Sequence, residues 1–175
     1  MTVIAVSPVP IEVVPYNPAW KAEFSRIKER MLEILGDLVI AVEHVGSTSI
    51  EGLAAKPIID LDLVMESYEA LPDIVERFRE FGYVHLGNLG IEGREVFECE
   101  KDDGLMHYHL YVCPKDGKGY LEHLAFRDYL RSHPAAVRAY EEVKLALAEQ
   151  YRNDREAYTE GKTAFVHSIL NKAMQ

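Results

Sequence analysis

The stretch Pro57 to Met65, PIIDLDLVM, narrows the folds open to this chain more than any other. It is an aliphatic run of strand length, interrupted only by Asp60 and Asp62. Such a run suits a strand in the interior of a sheet, with both faces covered. Side chains alternate across a strand. Asp60 and Asp62 therefore share one face with Ile58 and Val64, while Ile59, Leu61 and Leu63 point the other way, into a core. Two carboxylates at this spacing repel unless something offsets them. A divalent cation does so, and oxygen ligands are what Mg²⁺ or Mn²⁺ prefers. The plainer alternative is an edge strand with two solvated acids, which the apolar neighbours on both sides argue against.

The rest of the chain supplies a domain around this strand. Asn17-Pro18 reads as a helix start, and Trp20, Phe24, Ile27, Met31 and Ile34 fall at helical spacing up to Gly36. Leu38 to Val45 reads as a strand and Ser47 to Leu53 as a helical turn or tight loop. A helix over Tyr68 to Phe81 follows, capped by Ser67, then a short strand over Tyr83 to Leu86. Gly93 to Glu100 and Leu105 to Val112 flank Asp102-Asp103-Gly104, the pattern of a hairpin. Beyond Pro114 the pattern is helical: Tyr120 to Arg131, Pro134 to Tyr151 and Asp154 to Lys172. The order implies one α/β or α+β domain with a mixed sheet. Residues 1–15 form an arm with a short strand near Ile11 to Val14, 16–114 the α/β core, and 115–175 a helical part.

Composition bounds the function. Of 175 residues 48% are hydrophobic, enough for a real core, and 29 acidic against 19 basic residues give a net charge of −10. That balance argues against a nucleic-acid coat, which needs a basic footprint, but not against a few cations gathered for one small phosphorylated molecule. Cys99 and Cys113 form no metal or disulfide motif and read as reduced packing residues of a cytoplasmic protein. The apolar start, MTVIAVSPVPIEVVP, lacks a basic n-region and carries three prolines, so it reads as neither signal peptide nor spanning helix. No stretch reads as a coiled coil or a membrane-binding helix, and oligomeric state is left open.

Gly46-Ser47 ends the first strand ahead of a helical turn, an arrangement that holds phosphate through backbone N–H groups and a hydroxyl. Taken alone, Gly-Ser is usually only a turn. Lys56 lies just before the aspartates. Arg127 and Arg131 share a helical face, and Lys162 lies in the last helix; each is otherwise a surface charge. On the later strand His107 and His109 share a face with Tyr111, opposite Met106, Tyr108, Leu110 and Val112. The stripe of Val137, Tyr140, Val143, Lys144 and Leu147 reads as core with a boundary lysine.

Gly46-Ser47 followed by Asp60-x-Asp62 on a strand resembles the nucleotidyltransferase superfamily. The longer stretch from His44 to Asp60 is similar to the GrpB-like family, which is also found fused to dephospho-CoA kinase. The similarity continues through Val14 to Pro18, Trp20 and Phe24, His107 to Val112, Phe126 to Arg131 and Tyr158 to Lys162. It implies a nucleotidyltransferase-like mixed sheet with flanking helices. It further implies a Gly46-Ser47 turn holding triphosphate, a divalent metal on Asp60 and Asp62, and Arg127 and Lys162 as better phosphate candidates. The superfamily's third carboxylate has no obvious counterpart. The later strand offers His107 and His109 instead, and nothing selects Glu95 or Glu98 as a substitute. A histidine there would move the metal preference towards Mn²⁺, Zn²⁺, Ni²⁺ or Fe²⁺. Asp60, Asp62 and His109, with His107 or His44, would form that site; the alternative is that the histidines only hydrogen-bond across strands. Three readings follow: nucleotidyl transfer from a nucleoside triphosphate to a small acceptor, a non-catalytic module for a nucleotide, CoA-like or other phosphorylated ligand, or a metal-dependent hydrolase.

Overall fold

The computed structural model describes residues 10–175, so most of the expected N-terminal arm lies outside the described residues. The expected strand near Ile11 to Val14 is reduced to one antiparallel bridge between Val14 and Ala55. Five strands follow: β1 (Ala41–Val45), β2 (Ile59–Met65), β3 (Tyr83–Gly87), β4 (Glu95–Cys99) and β5 (Tyr108–Pro114). They form one sheet in the order β1-β2-β5-β4-β3. The β2–β5 pair is parallel and the other pairs are antiparallel, so the sheet is mixed as expected. The aspartate strand is interior, paired on both edges, and the edge-strand alternative is excluded.

Five α-helices accompany the sheet: α1 (Ala19–Leu35), α2 (Leu71–Glu80), α3 (Lys118–Ser132), α4 (Pro134–Gln150) and α5 (Arg155–Ala173). Asn17 starts α1, its side-chain oxygen accepting from the Ala19 N–H at 3.0 Å. Ser67 caps the turn before α2 by accepting from the Glu69 N–H. Ile27, Met31 and Ile34 of α1 and Ile74 and Phe78 of α2 pack against Ile59, Leu61 and Leu63, all fully buried. That removal from water is the main stabilising term for this layer, at roughly 1.5–3 kcal/mol per aliphatic or aromatic side chain. The helical part gathers around Ile50, Leu53, Leu130 and Tyr140, so α3 and α4 pack on the turn that follows β1. Among the described residues no helix is long and apolar enough to cross a membrane.

Two boundaries differ from expectation for local reasons. Gly36 (φ +54°) opens a 3₁₀ turn through Leu38, so β1 begins only at Ala41. The β4–β5 connection is longer than a tight hairpin. Asp102 and Asp103 each turn their side chains back onto backbone N–H groups two residues on, at Gly104 and Leu105, and this holds an open loop.

Candidate active site

Register assembles the site. Asp60 lies beside His109 in β5 and Val45 in β1, and Asp62 beside Tyr111 and Glu43. Each aspartate has a histidine. His109 Nδ1 is 3.0 Å from Asp60 Oδ1, and His123 Nδ1, from α3, is 2.7 Å from Asp62 Oδ2. Burial pulls His123 down, but the hydrogen bond and charge of Asp62, with Asp60 beyond it, outweigh that and raise its pKa above the usual histidine value. Asp62 is 1% exposed, yet its Oδ1 has no hydrogen-bond partner among the described residues. A buried carboxylate oxygen left unpaired costs free energy, and a cation there would offset it.

Gly46 is required beside this pair. Its backbone (φ +75°, ψ −175°) lies in a region that is essentially glycine-only. A Cβ at this position would sit 2.3 Å from Asp60 Oδ2. A side chain at this position would therefore displace the carboxylate.

A cavity of 190 Å³ opens from Asp60 and His109 beneath Ser47 and Thr48. Its far wall carries Lys56, Lys144 and Lys162 together with Tyr158. Burial, then the repulsion of Lys162 and Lys56, lowers the Lys144 ammonium to about 7. Burial and Lys56 lower Lys162 to about 8, and burial with Arg155 lowers Lys56. Lys144 is 2% exposed and donates to the Ala54 carbonyl at 2.8 Å. Lys56 and Lys162 lie on the Tyr158 ring, 5.3 and 4.6 Å from its centroid. The Tyr158 hydroxyl is buried without a hydrogen-bond partner among the described residues. Three lysines and an unpartnered hydroxyl thus crowd one cavity, where an anion would relieve their mutual repulsion.

This carries a pH prediction. Lys144 and Lys162 bind fewer protons in the fold than in the open chain, between about 7 and their ordinary 10.5, so rising pH favours the empty fold across that window. An anion raises both groups again, so binding takes up protons. Calorimetry of inorganic triphosphate in buffers of different ionisation heat is expected to show proton uptake at pH 8, and affinity falling from pH 7.5 to 9.5. Affinity independent of pH would contradict the lysine assignment.

The other expected site residues divide. His44 faces away from the aspartates, in register with Leu61, so it leaves the expected ligand set. Its Nε2 is 2.9 Å from the Thr48 hydroxyl, its ring stacks on Phe24, and burial above all holds it down at about 4. His107 precedes β5, exposed, with its ring edge-on to His109. Arg127 lines neither cavity that meets Asp60; it donates to Glu43 at 2.7 Å and to the His44 carbonyl, pinning α3 to β1. Arg131 holds the Ser49 carbonyl. Glu95 pairs with His85 on the core side, and Glu98 is exposed. Among the described residues no group of three or more His, Cys, Asp or Glu side chains is placed to hold a metal ion, so Asp60, Asp62 and His109 do not form the expected three-ligand set. His123 was not foreseen, and Lys144, expected at a boundary, is buried in the cavity wall.

Comparison with known proteins places this geometry. The glutamate-rich protein GrpB of Alkalihalophilus pseudofirmus is 39% identical over 166 residues, covering 91% of this chain and 94% of that one. The crystal structure of the conserved protein GrpB from Enterococcus faecalis matches with a TM-score of 0.82 at 34% identity, over 93% of this chain and 97% of that one. The Cid1 poly(U) polymerase, solved bound to MgATP, shares the fold at a TM-score of 0.55 and 12% identity, over 79% of this chain and 44% of its own. The two proteins thus share a fold over that part of each chain. The GrpB protein family model matches residues 10–172, and the chain belongs to the GrpB family.

Proposed function

We propose that this protein binds a nucleoside triphosphate together with Mg²⁺ or Mn²⁺ and transfers its nucleotidyl group to a small acceptor. One observation carries the reading: Asp60 lines the three-lysine cavity, and two residues further along the same strand Asp62 is buried with one carboxylate oxygen unpaired among the described residues. The donor set suits a hard cation that keeps water and phosphate oxygens for most of its shell and takes only one or two carboxylates from protein. Asp60 and Asp62 would hold it, and His109 and His123 would orient them. When bound, the ion supplies neutralisation of the polyphosphate and polarisation of the acceptor oxygen. Lys56, Lys144 and Lys162 hold the β- and γ-phosphates with Ser47, and their charge stabilises the departing pyrophosphate. The histidines then act as second partners of the carboxylates rather than as ligands selecting Zn²⁺ or Ni²⁺.

A second reading, retention of a nucleotide or CoA-like phosphorylated ligand without turnover, rests on His109 standing beside Asp60 where a third carboxylate would serve catalysis. Incubation with α-labelled nucleoside triphosphates, Mn²⁺ and a panel of small hydroxylated and carboxylated acceptors separates the two. Transfer predicts pyrophosphate release and label on an acceptor, lost in Asp62→Asn. Intact nucleotide despite tight binding would overturn transfer in favour of retention.

A further inference from the structure

A second cavity, of 320 Å³, is also lined by Asp60. It lies between the sheet, α3 and α5, and shares only Asp60 and Tyr111 with the lysine cavity. Its character differs. Val45, Phe126, Val166 and Leu170 give it an apolar wall, and it contains none of the three lysines. Its one permanent cation is Arg94, whose guanidinium lies over the Tyr111 ring, 4.8 Å from the centroid. Arg94 forms no salt bridge among the described residues, and its Nε is buried without a hydrogen-bond partner. A guanidinium packed over an aromatic ring keeps its N–H fork for a planar acceptor, and a carboxylate matches that fork.

We infer that this cavity binds the acceptor, and that the acceptor is a small organic acid with an apolar body and one carboxylate set on Arg94. The inference rests on the transfer reading for the word acceptor, but the binding it describes does not. Size is compatible with it: 320 Å³ lies at the small end of the range of small-molecule cavities, about 300–1,000 Å³. Charge supports a carboxylate over a phosphate. Asp60 and Glu122 face the same space as Arg94 and His123, and Glu122 is paired with Lys118 at 3.7 Å, so a phosphate dianion would meet more repulsion from these carboxylates than a monoanion does. The three lysines suited to a polyphosphate line the other cavity. Transfer would form a bond between one oxygen of the acceptor's ionised carboxylate, which has no proton to lose, and the α-phosphorus, giving an acyl–phosphate anhydride, and would break the bond from the α-phosphorus to the oxygen bridging to the β-phosphorus. Pyrophosphate would leave towards the lysines.

Methyl-labelled protein titrated with hexanoate, hexan-1-ol and hexyl phosphate tests this by NMR. Hexanoate is expected to shift the methyl resonances of Val45, Val166 and Leu170 saturably, with hexyl phosphate at least tenfold weaker. Arg94→Met is expected to weaken hexanoate at least tenfold and leave hexan-1-ol unchanged. Leu170→Trp is expected to fill the cavity and abolish both, with thermal melts confirming that each variant folds. No saturable shift at these methyls, tighter hexyl phosphate, or an unaffected Arg94→Met would overturn the inference. Triphosphate binding is measured on the same samples. Its failure alongside hexanoate binding strikes the nucleotide reading and leaves this cavity standing; the reverse pattern strikes only the cavity.

Discussion

Lys144→Met is expected to raise the thermal midpoint of the ligand-free protein while weakening nucleoside triphosphate binding about 100-fold. The two effects share one cause. Lys144 is a buried ammonium held among Lys56 and Lys162 with one carbonyl partner, and burial and repulsion already bring it down to about 7. Replacing such a charge with a hydrophobic side chain of similar length relieves desolvation and repulsion, on the order of 1–3 kcal/mol. Leaving the Ala54 carbonyl without its donor returns about 1 kcal/mol of that. Net stabilisation shifts a chain of this size by about 2–4 °C per kcal/mol. Loss of a buried charge contact to phosphate costs about 3 kcal/mol, which is about 100-fold in affinity. Differential scanning calorimetry with triphosphate titrations reads both. A Lys144→Met variant that melts lower and binds normally would make this lysine a structural post for the Ala54 carbonyl.

Gly46→Ala is expected to be the most damaging single methyl in the molecule. The position combines a glycine-only backbone with a Cβ site 2.3 Å from Asp60 Oδ2. The backbone alone costs about 1–3 kcal/mol. The clash must also move Asp60, and with it the hydrogen bond to His109 and the junction of the two cavities. Gly52→Ala separates the contributions, because Gly52 also has positive φ (+85°) but nothing within 4 Å of its Cβ site. Both variants are expected to lose stability, Gly46→Ala more, and only Gly46→Ala to lose the triphosphate response. Equal behaviour would mean that the turn matters only as a turn.

What sequence reveals here follows what is local. The alternation in PIIDLDLVM set Ile59, Leu61 and Leu63 against Asp60 and Asp62, and burial of the former follows it. Asn17 and Ser67 announced their helix starts because capping is decided within three residues. His44 was misplaced because period-2 alternation assigns a face only within its own strand. The antiparallel register of β1 on β2 decides that Glu43 and Val45, not His44, join the aspartates. Arg127 carried a helical position but not its partner, Glu43, 84 residues away. Lys144 sat in an apolar stripe that correctly marked a buried face. What that face opposes depends on Lys56 and Lys162, from elements far apart in the chain. His123 had no local signal, since its meaning comes only from α3 crossing above Asp62. The resemblance supplied what periodicity could not, namely that a glycine turn and a D-x-D strand belong to one site.

The central claim is that metal and polyphosphate enter together, the aspartates taking the ion and the lysines the phosphates. Thermal unfolding with ATP plus Mn²⁺, with each alone and with ATP plus EDTA, tests it most directly in the wild type and in Asp60→Ala. The account predicts a rise of several degrees with ATP and Mn²⁺ together, a small one with ATP alone, none with Mn²⁺ alone, and loss of the joint effect in Asp60→Ala. Equal stabilisation by ATP in EDTA, or an Asp60→Ala variant that responds like the wild type, would contradict it.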